Sequence, residues 1–440
     1  MKLNWAVCVL ILLSIIRTAD AQQETISLEQ VIALALEKNY DIRVADNLAS
    51  SAETDSKYSV GALLPVINAN GSRVWNTNDQ KQELFNNTEV QRNGIKSNNL
   101  SGSVQLSWLL FDGTRMFATR ERLAQLEAQG MLNVKNQMVN TIAEVVNNYY
   151  NIVRQKQQLN AIREQMLVSE ERVRLADRKL EVGTGAKPEL LQAKVDLNSQ
   201  RTTVMLQEAI IVSLKEQLNG LVSMQLPRTF EVSDSIVIDL GLRREDIFEN
   251  IENTNFSLLS AKKDLDIASL SLRERKGERY PFLNFTSSYN YSRTENAVAI
   301  NSFTPLFNRN RGYNYGFTIS MPIMNGFINR RNIQQARISI DRQQLLYEQE
   351  KTNVDVGVNN AFVNYENAKR VLLIEEENIL LAKENLYITL ESFKRGAYTF
   401  IELRTAQQSL AEAYNRLINA RYLAKLAETE LLRLNGSLLK

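Results

Sequence analysis

Residues 100–110 alternate between apolar and small polar side chains. Leu100, Gly102, Val104, Leu106, Trp108 and Leu110 fall on one side of an extended chain, and Ser101, Ser103, Gln105 and Ser107 on the other. A period of two predicts a β-strand. Tyr313, Tyr315, Phe317, Ile319, Met321 and Ile323 repeat the pattern against Asn314, Gly316, Thr318 and Ser320. Leu283, Phe285, Tyr289 and Tyr291 do so against Asn284, Thr286, Ser288, Asn290 and Ser292, and Ile67, Ala69 and Gly71 more weakly against Asn68, Asn70 and Ser72. Strands are therefore expected at about 64–75 and 100–111, and again at 281–293 and 312–324. The polar stretches Asn76–Asn99 and Thr294–Arg311 are expected as loops.

After each strand pair the period changes. Residues 115–182 contain no Pro and one Gly, Gly130. As a helix these 68 residues (182 − 115 + 1) would run roughly 100 Å, at about 1.5 Å per residue. Residues 327–395 are a second such run. Ala361, Tyr365, Ala368, Leu372, Ile379, Ala382, Leu386 and Phe393 occupy heptad-like positions, with Glu375 and Thr389 as exceptions, so this helix packs sideways on others. Return helices are expected at 188–219 and 400–435, and half-length helices at about 26–59 and 243–279. The segment 220–242 becomes a linker belting the middle.

The chain is duplicated. Leu64-Pro65-Val66-Ile67-Asn68 returns as Tyr280-Pro281-Phe282-Leu283-Asn284, an offset of 216 (280 − 64). Phe111-Asp112-Gly113 returns as Met324-Asn325-Gly326, and Val182-Gly183 as Arg395-Gly396, both offset by 213 (326 − 113 and 396 − 183). A constant spacing, shifted once within a loop, marks two structural repeats, 22–230 and 243–440, around the 220–242 linker.

The second face of the strands decides their environment. A soluble sandwich would carry charges there, but Ser, Thr and Asn fit a water-filled lumen. Trp108, Tyr289, Tyr291, Tyr313 and Tyr315 on the apolar face fit the aromatic girdles of an outer membrane barrel. A water-soluble hairpin pair is the alternative that alternation alone leaves open. In lipid, an open sheet edge leaves backbone amides unsatisfied at several kcal/mol each. Four strands cannot close, so copies must share one barrel. Three copies give twelve strands; two give eight, a barrel that side chains fill. The expectation is a mainly α chain with a β-barrel portion: a trimeric 12-stranded outer membrane β-barrel, four strands per chain, continued by a long periplasmic α-helical coiled-coil barrel. The polar loops are then extracellular. An ordinary dimeric coiled coil would not carry flanking strands.

Composition narrows the chemistry. Residues 1–21 read as a secretory signal peptide, with Lys2, the apolar Ala6–Ile16 and Ala19-Asp20-Ala21 at the cleavage point. Its removal takes Cys8, the single cysteine, and the sequence has no His. The common metal and nucleophile constellations are then absent, and neither an enzyme nor a cofactor is expected. Lys and Arg number 52 against 50 Asp and Glu, which argues against a general nucleic-acid binder. Gly183-Thr184-Gly185-Ala186-Lys187 lacks the spacing of a phosphate loop and follows no strand.

Duplicated strand-pair and long-helix units joined by a Val182-Gly183-Thr184 turn resemble the TolC family of outer membrane factors over essentially the whole mature chain. The resemblance implies a homotrimer embedded in outer membrane lipid. It implies helix turns at the periplasmic tip that close the tunnel and receive a periplasmic adaptor protein linked to an inner membrane transporter. The implied adaptor-facing tip is Val182, Gly183, Thr184, Glu189 and Leu190 in the first turn, and Gly396 and Leu403 in the second. The implied pore constriction is Glu402, with Thr405 where the family often has a second acid and Tyr398 in place of a basic gate partner. That replacement sets the gate apart from the best-known members.

The bland readings of these residues are structural. Gly183 and Gly396 end long helices with positive φ. Thr399 to Glu402 is a capping box, which Glu402 could serve alongside an acidic ring. Pro188 suits the first helical position and Glu189 the helix dipole. The expected function is the outer membrane channel of a tripartite efflux system, a passive duct for small molecules. The alternatives are the outer component of a type I protein secretion system and a non-conducting periplasmic coiled-coil protein.

Overall fold

The computed structural model describes residues 25–83, 88–233, 235–299 and 304–439; the expected signal peptide and Cys8 lie outside them. In chain order the elements are α1 (Leu28–Lys38), α2 (Tyr40–Tyr58), β1 (Val66–Glu83), β2 (Glu89–Phe111), α3 (Arg115–Glu181) and α4 (Lys187–Leu221). There follow the short α5 (Arg244–Phe248) and α6 (Ile251–Thr254), then α7 (Phe256–Gly277), β3 (Phe282–Asn296), β4 (Phe307–Ser320), α8 (Ile328–Lys394) and α9 (Phe400–Leu434). Both α3 and α8 are 67 residues long. Among the described residues no helix is long and apolar enough to cross a membrane.

The chain forms two compact units. One unit, Leu48–Gly130 with Ala261–Glu348, holds a four-stranded antiparallel sheet in the order β1-β2-β3-β4. Consecutive strands pair throughout, so among the described residues β1 and β4 are free edges. The register is Ala69↔Val104, Val104↔Tyr289 and Tyr289↔Tyr313, which puts the apolar positions of all four strands on one face. The opposite face is tied by side-chain hydrogen bonds, Ser72 Oγ to Ser101 Oγ at 2.7 Å and Ser288 Oγ to Asn314 Oδ1 at 2.8 Å.

The strands depart from the expected bounds. β1 continues to Glu83 and β2 begins at Glu89, so most of the expected loop 76–99 is ladder. The extension has only Val90 and Ile95 as large apolar residues among its described positions, and so has no apolar alternation to betray it. It is held by pairing through a bulge at Asn78/Gln80, by an ion pair between Lys81 and Glu89, and by Gly94 N–H donating to Asp79 Oδ1 at 2.6 Å. Likewise β3 runs to Asn296, and β4 starts at Phe307 and ends at Ser320 rather than 324. Pro322 has no N–H for a ladder, which agrees with that early end.

The other unit, Met1–Asn47 with Met131–Ser260 and Gln349–Lys440, is helical over most of its described residues. Its half-length helices are interrupted where continuous ones were expected. The helix expected at 26–59 breaks at Asn39, whose Oδ1 accepts the N–H groups of Asp41 at 2.9 Å and Ile42 at 3.2 Å while its Nδ2 donates to Leu221 O at 2.8 Å. The helix expected at 243–279 is three pieces. Its last break is at Asn255, whose Oδ1 accepts Leu258 N–H at 2.9 Å and whose Nδ2 donates to Leu434 O at 2.9 Å. Asparagine competes for local backbone groups, which makes it a cap rather than a helix-interior residue. The two caps are repeat equivalents: Asn255 lies 216 after Asn39, and Leu434 lies 213 after Leu221.

The linker after α4 crosses this unit. Phe230 and Val232 are buried with Val31, Tyr149 and Leu218 in one core. Tyr149 Oη donates to Ile26 O at 2.9 Å and accepts Ser233 N–H at 3.1 Å. Further on, Tyr365 Oη donates to Asp239 O at 2.8 Å, Lys369 Nζ to Leu240 O at 2.6 Å, and Asp239 N–H to Glu428 Oε2 at 3.1 Å. The segment therefore meets α3, α8 and α9 in turn.

Candidate functional site: the two helix turns

The α3–α4 turn is built by backbone geometry. Gly183 has φ +79°, a left-handed conformation that ends the helix. Thr184 N–H and Gly185 N–H both donate to Lys179 O, at 2.9 and 2.7 Å. A Cβ on Gly185 would sit 2.8 Å from Lys179 Cβ, so this turn needs a second glycine that the family pattern did not single out. α4 opens at Lys187, which places Pro188 and Glu189 in its first turn. The α8–α9 turn repeats the design, with Gly396 at φ +76° and Ala397 N–H donating to Ser392 O at 3.0 Å.

The expected tip residues divide by exposure. Val182 is 73% exposed, and Thr184 and Gly396 are exposed. Leu190 and Leu403 are buried; Leu403 belongs to the core of Leu386, Phe393, Ala406 and Leu410 and positions the turn from beneath. Glu189 is half-buried, and its Oε1 is shielded without a hydrogen-bond partner.

Glu402 forms the capping box. Its Oε2 accepts Thr399 N–H at 2.6 Å, and Thr399 Oγ1 accepts Glu402 N–H at 3.3 Å. The hydrogen bond from the Thr399 backbone, then that from its hydroxyl, holds the carboxyl below the usual glutamate range. Both contacts use Oε2. Thr405, one turn on, is exposed on the same side of α9, with Oγ1 donating back to Ile401 O at 3.0 Å. Tyr398, 42% exposed, immediately precedes the cap.

Behind the turns lies a polar knot that sequence reading missed. Arg172 of α3 is 3% exposed. It donates to Gln407 Oε1 of α9 at 2.8 Å and to Asp196 Oδ2 of α4 at 3.2 Å, and stacks 4.4 Å over the Phe400 ring. Burial pulls its pKa down from the usual arginine value, and the Asp196 hydrogen bond opposes that shift. Gln407 also donates to Ser169 Oγ at 2.9 Å, and Arg404 reaches Asp196 at 3.4 Å. The knot joins the first repeat's helix pair to the second's return helix. An arginine inside a long helix rich in charged residues is a weak signal without its partners.

A four-stranded sheet with one apolar and one uncharged polar face, attached to helices of 67 residues closed by paired glycine turns, defines an outer membrane channel rather than a soluble coiled coil. The outer membrane efflux protein family matches residues 31–221 and again 248–437, and the chain belongs to that family. The outer membrane protein TolC of Salmonella enteritidis is 24% identical over 374 residues, covering 80% of this chain and 75% of the relative. The cation efflux system protein CusC of Escherichia coli K12 is 21% identical over 411 residues, 91% of this chain and 84% of that one. Among solved structures, CusC superposes with a TM-score of 0.76 at 17% identity, covering 96% of this chain and 95% of that chain. VceC of Vibrio cholerae does so at 0.75 and 14%, covering 93% and 96%. Members of the family are channels, not enzymes.

Proposed function

We propose that three copies of this chain close a common 12-stranded barrel and form the passive outer membrane duct of a tripartite efflux system for small molecules. The observation that carries the reading is the sheet, whose β1 and β4 edges are both free and whose polar face bears Ser, Thr and Asn without a charge between residues 284 and 292 or 312 and 320. Lipid tolerates no open edge, so each β4 pairs with the β1 of the next copy. The names of TolC and CusC, an outer membrane protein and part of a cation efflux system, support export as the role.

The two glycine turns serve as the docking point for a periplasmic adaptor that links the duct to an inner membrane transporter. The exposed Val182 and Thr184, with Gly396 and the 73%-exposed Ile401, supply its surface. Three copies of Glu402, with Thr405 and Tyr398, form the constriction. Oε2 is occupied by the cap, and the carboxylate's charge still faces solvent, so capping and an acidic ring coexist. Planar bilayer recording of the purified protein tests the reading. Trimer-sized particles with cation-preferring current are expected. A trimer that never conducts, even with residues 182–187 and 395–399 removed, would establish the structural coiled-coil alternative instead.

A further inference from the structure

The apolar face of the sheet ends abruptly in arginine. Counting from the helix-attached end, its paired rows are Leu283 with Ile319, then Phe285 with Phe317, then Ile67, Leu106, Ser287 and Tyr315, then Ala69, Val104, Tyr289 and Tyr313. None of these carries a charge. The next row brings Arg311 beside Tyr291, and the one after it aligns Arg73, Leu100, Arg293 and Arg309 across all four strands. Directly opposed residues share a face, so these four arginines lie on the aromatic side, not on the side of Ser101, Asn290 and Asn310.

Their height on the sheet fits a headgroup layer. Leu283 to Arg293 is ten residues, about 34 Å of strand at about 3.4 Å each. With strands tilted by about 40°, that is roughly 26 Å, close to the height of the outward apolar band of a membrane barrel, about 25 Å. An arginine at the bilayer midplane costs about 2–4 kcal/mol, and at the interface close to nothing. The row therefore marks the hairpin-end border of the hydrocarbon.

The four guanidinium groups are not equivalent. Arg293 pairs with Glu295, and Arg73 stacks 4.9 Å over Trp75 while its Nε donates to Asn98 Oδ1 at 3.1 Å. Arg309 and Arg311 are exposed and have no acidic partner among the described residues. Two unpaired, forked donors at a membrane border match phosphate, which guanidinium binds in two-pronged fashion.

We infer that Arg309 and Arg311, supported by Arg73 and Arg293, form a belt that binds the phosphate groups of the phosphorylated glycolipid in the outer leaflet. This rests on the outer membrane reading, which places the hairpin ends outside. The belt would seat that lipid around the barrel and fix the barrel's height in the bilayer.

The test uses the full-length trimer in neutral detergent, with native mass spectrometry to count retained lipid. Bisphosphorylated lipid A is the probe, with its enzymatically dephosphorylated form and phosphatidylglycerol as comparison arms. Wild type is expected to retain the phosphorylated form preferentially, and added salt to erase the preference. Arg309→Gln with Arg311→Gln is expected to weaken retention by about 10- to 30-fold, at roughly fivefold per basic residue. Arg309→Lys with Arg311→Lys, which keeps the charge and guards against a folding defect, is expected to stay within about threefold to fivefold of wild type. Arg330→Gln with Arg331→Gln, at the helix-attached end, is expected to change nothing. Equal retention of phosphorylated and dephosphorylated glycolipid, or of phosphatidylglycerol and lipid A, would overturn the inference. Trimer formation and conductance of these variants report separately on the channel itself. A current with no phosphate preference sinks the belt alone; protein recovered as soluble material sinks both.

Discussion

At the scale of single residues, Glu402 carries the observed cap, and its substitutions test the proposed acidic ring separately. Glu402→Gln keeps an oxygen for the Thr399 N–H but removes the charge, whereas Glu402→Ala removes both. We expect the glutamine variant to lose cation preference in bilayer recordings with little change in stability. The alanine variant should in addition weaken the start of α9, because the Thr399 N–H loses its acceptor. Identical ion selectivity in wild type and glutamine variant would reject the acidic ring. Because the cap lowers the folded-state pKa of Glu402, its contribution is complete above the usual glutamate range and is lost as pH falls through the lowered value. Amide exchange at Thr399 should accelerate in that acidic window and not in the glutamine variant. Gly396, at φ +76°, gives a related expectation: Gly396→Ala should cost about 1–2 kcal/mol through left-handed strain, seen as a lower unfolding midpoint in urea.

At the scale of elements, the paired asparagines organise the middle of the helical unit. Asn39 and Asn255 each start one helix and hold the last carbonyl of another, and both are buried. Asn39→Ala or Asn255→Ala leaves a half-buried carbonyl without its donor and a helix start without its cap. Each should destabilise by about 2–4 kcal/mol, and by similar amounts because the environments are repeat equivalents. Tyr149→Phe should cost about 1–3 kcal/mol, since Ile26 O loses its donor and Ser233 N–H its acceptor. Urea unfolding of the isolated variants measures both, and no loss in either asparagine variant would show the breaks to be tolerated ends rather than anchors.

At the scale of the whole molecule, the free edges of β1 and β4 make oligomer and barrel one event. Native mass spectrometry should find a trimer and no folded monomer inserted in lipid. Removing 307–320, which deletes the β4 partner for the next copy's β1, should abolish assembly and leave the helical segments in an aggregated state. Recovery of a membrane-inserted monomer in either experiment would refute the shared barrel.

What the sequence determined by itself was everything written in periodicity. Strand alternation, the long proline-free helices, the duplication at offsets 216 and 213, and the turn glycines are local or repeated signals, and each is tied to one backbone geometry. The Thr399 capping box was legible for the same reason, since its partners are three residues apart. The tertiary structure decided the rest, because those features exist only when distant segments meet. The strand extensions to Glu83 and Glu89 have no apolar alternation, with only Val90 and Ile95 apolar, and are defined by their ladder, not their composition. Asn39 becomes an anchor through Leu221, and Arg172 becomes a knot through Asp196 and Gln407, 24 and 235 residues away. The alignment of Arg73, Arg293 and Arg309 follows from register, which no single strand specifies.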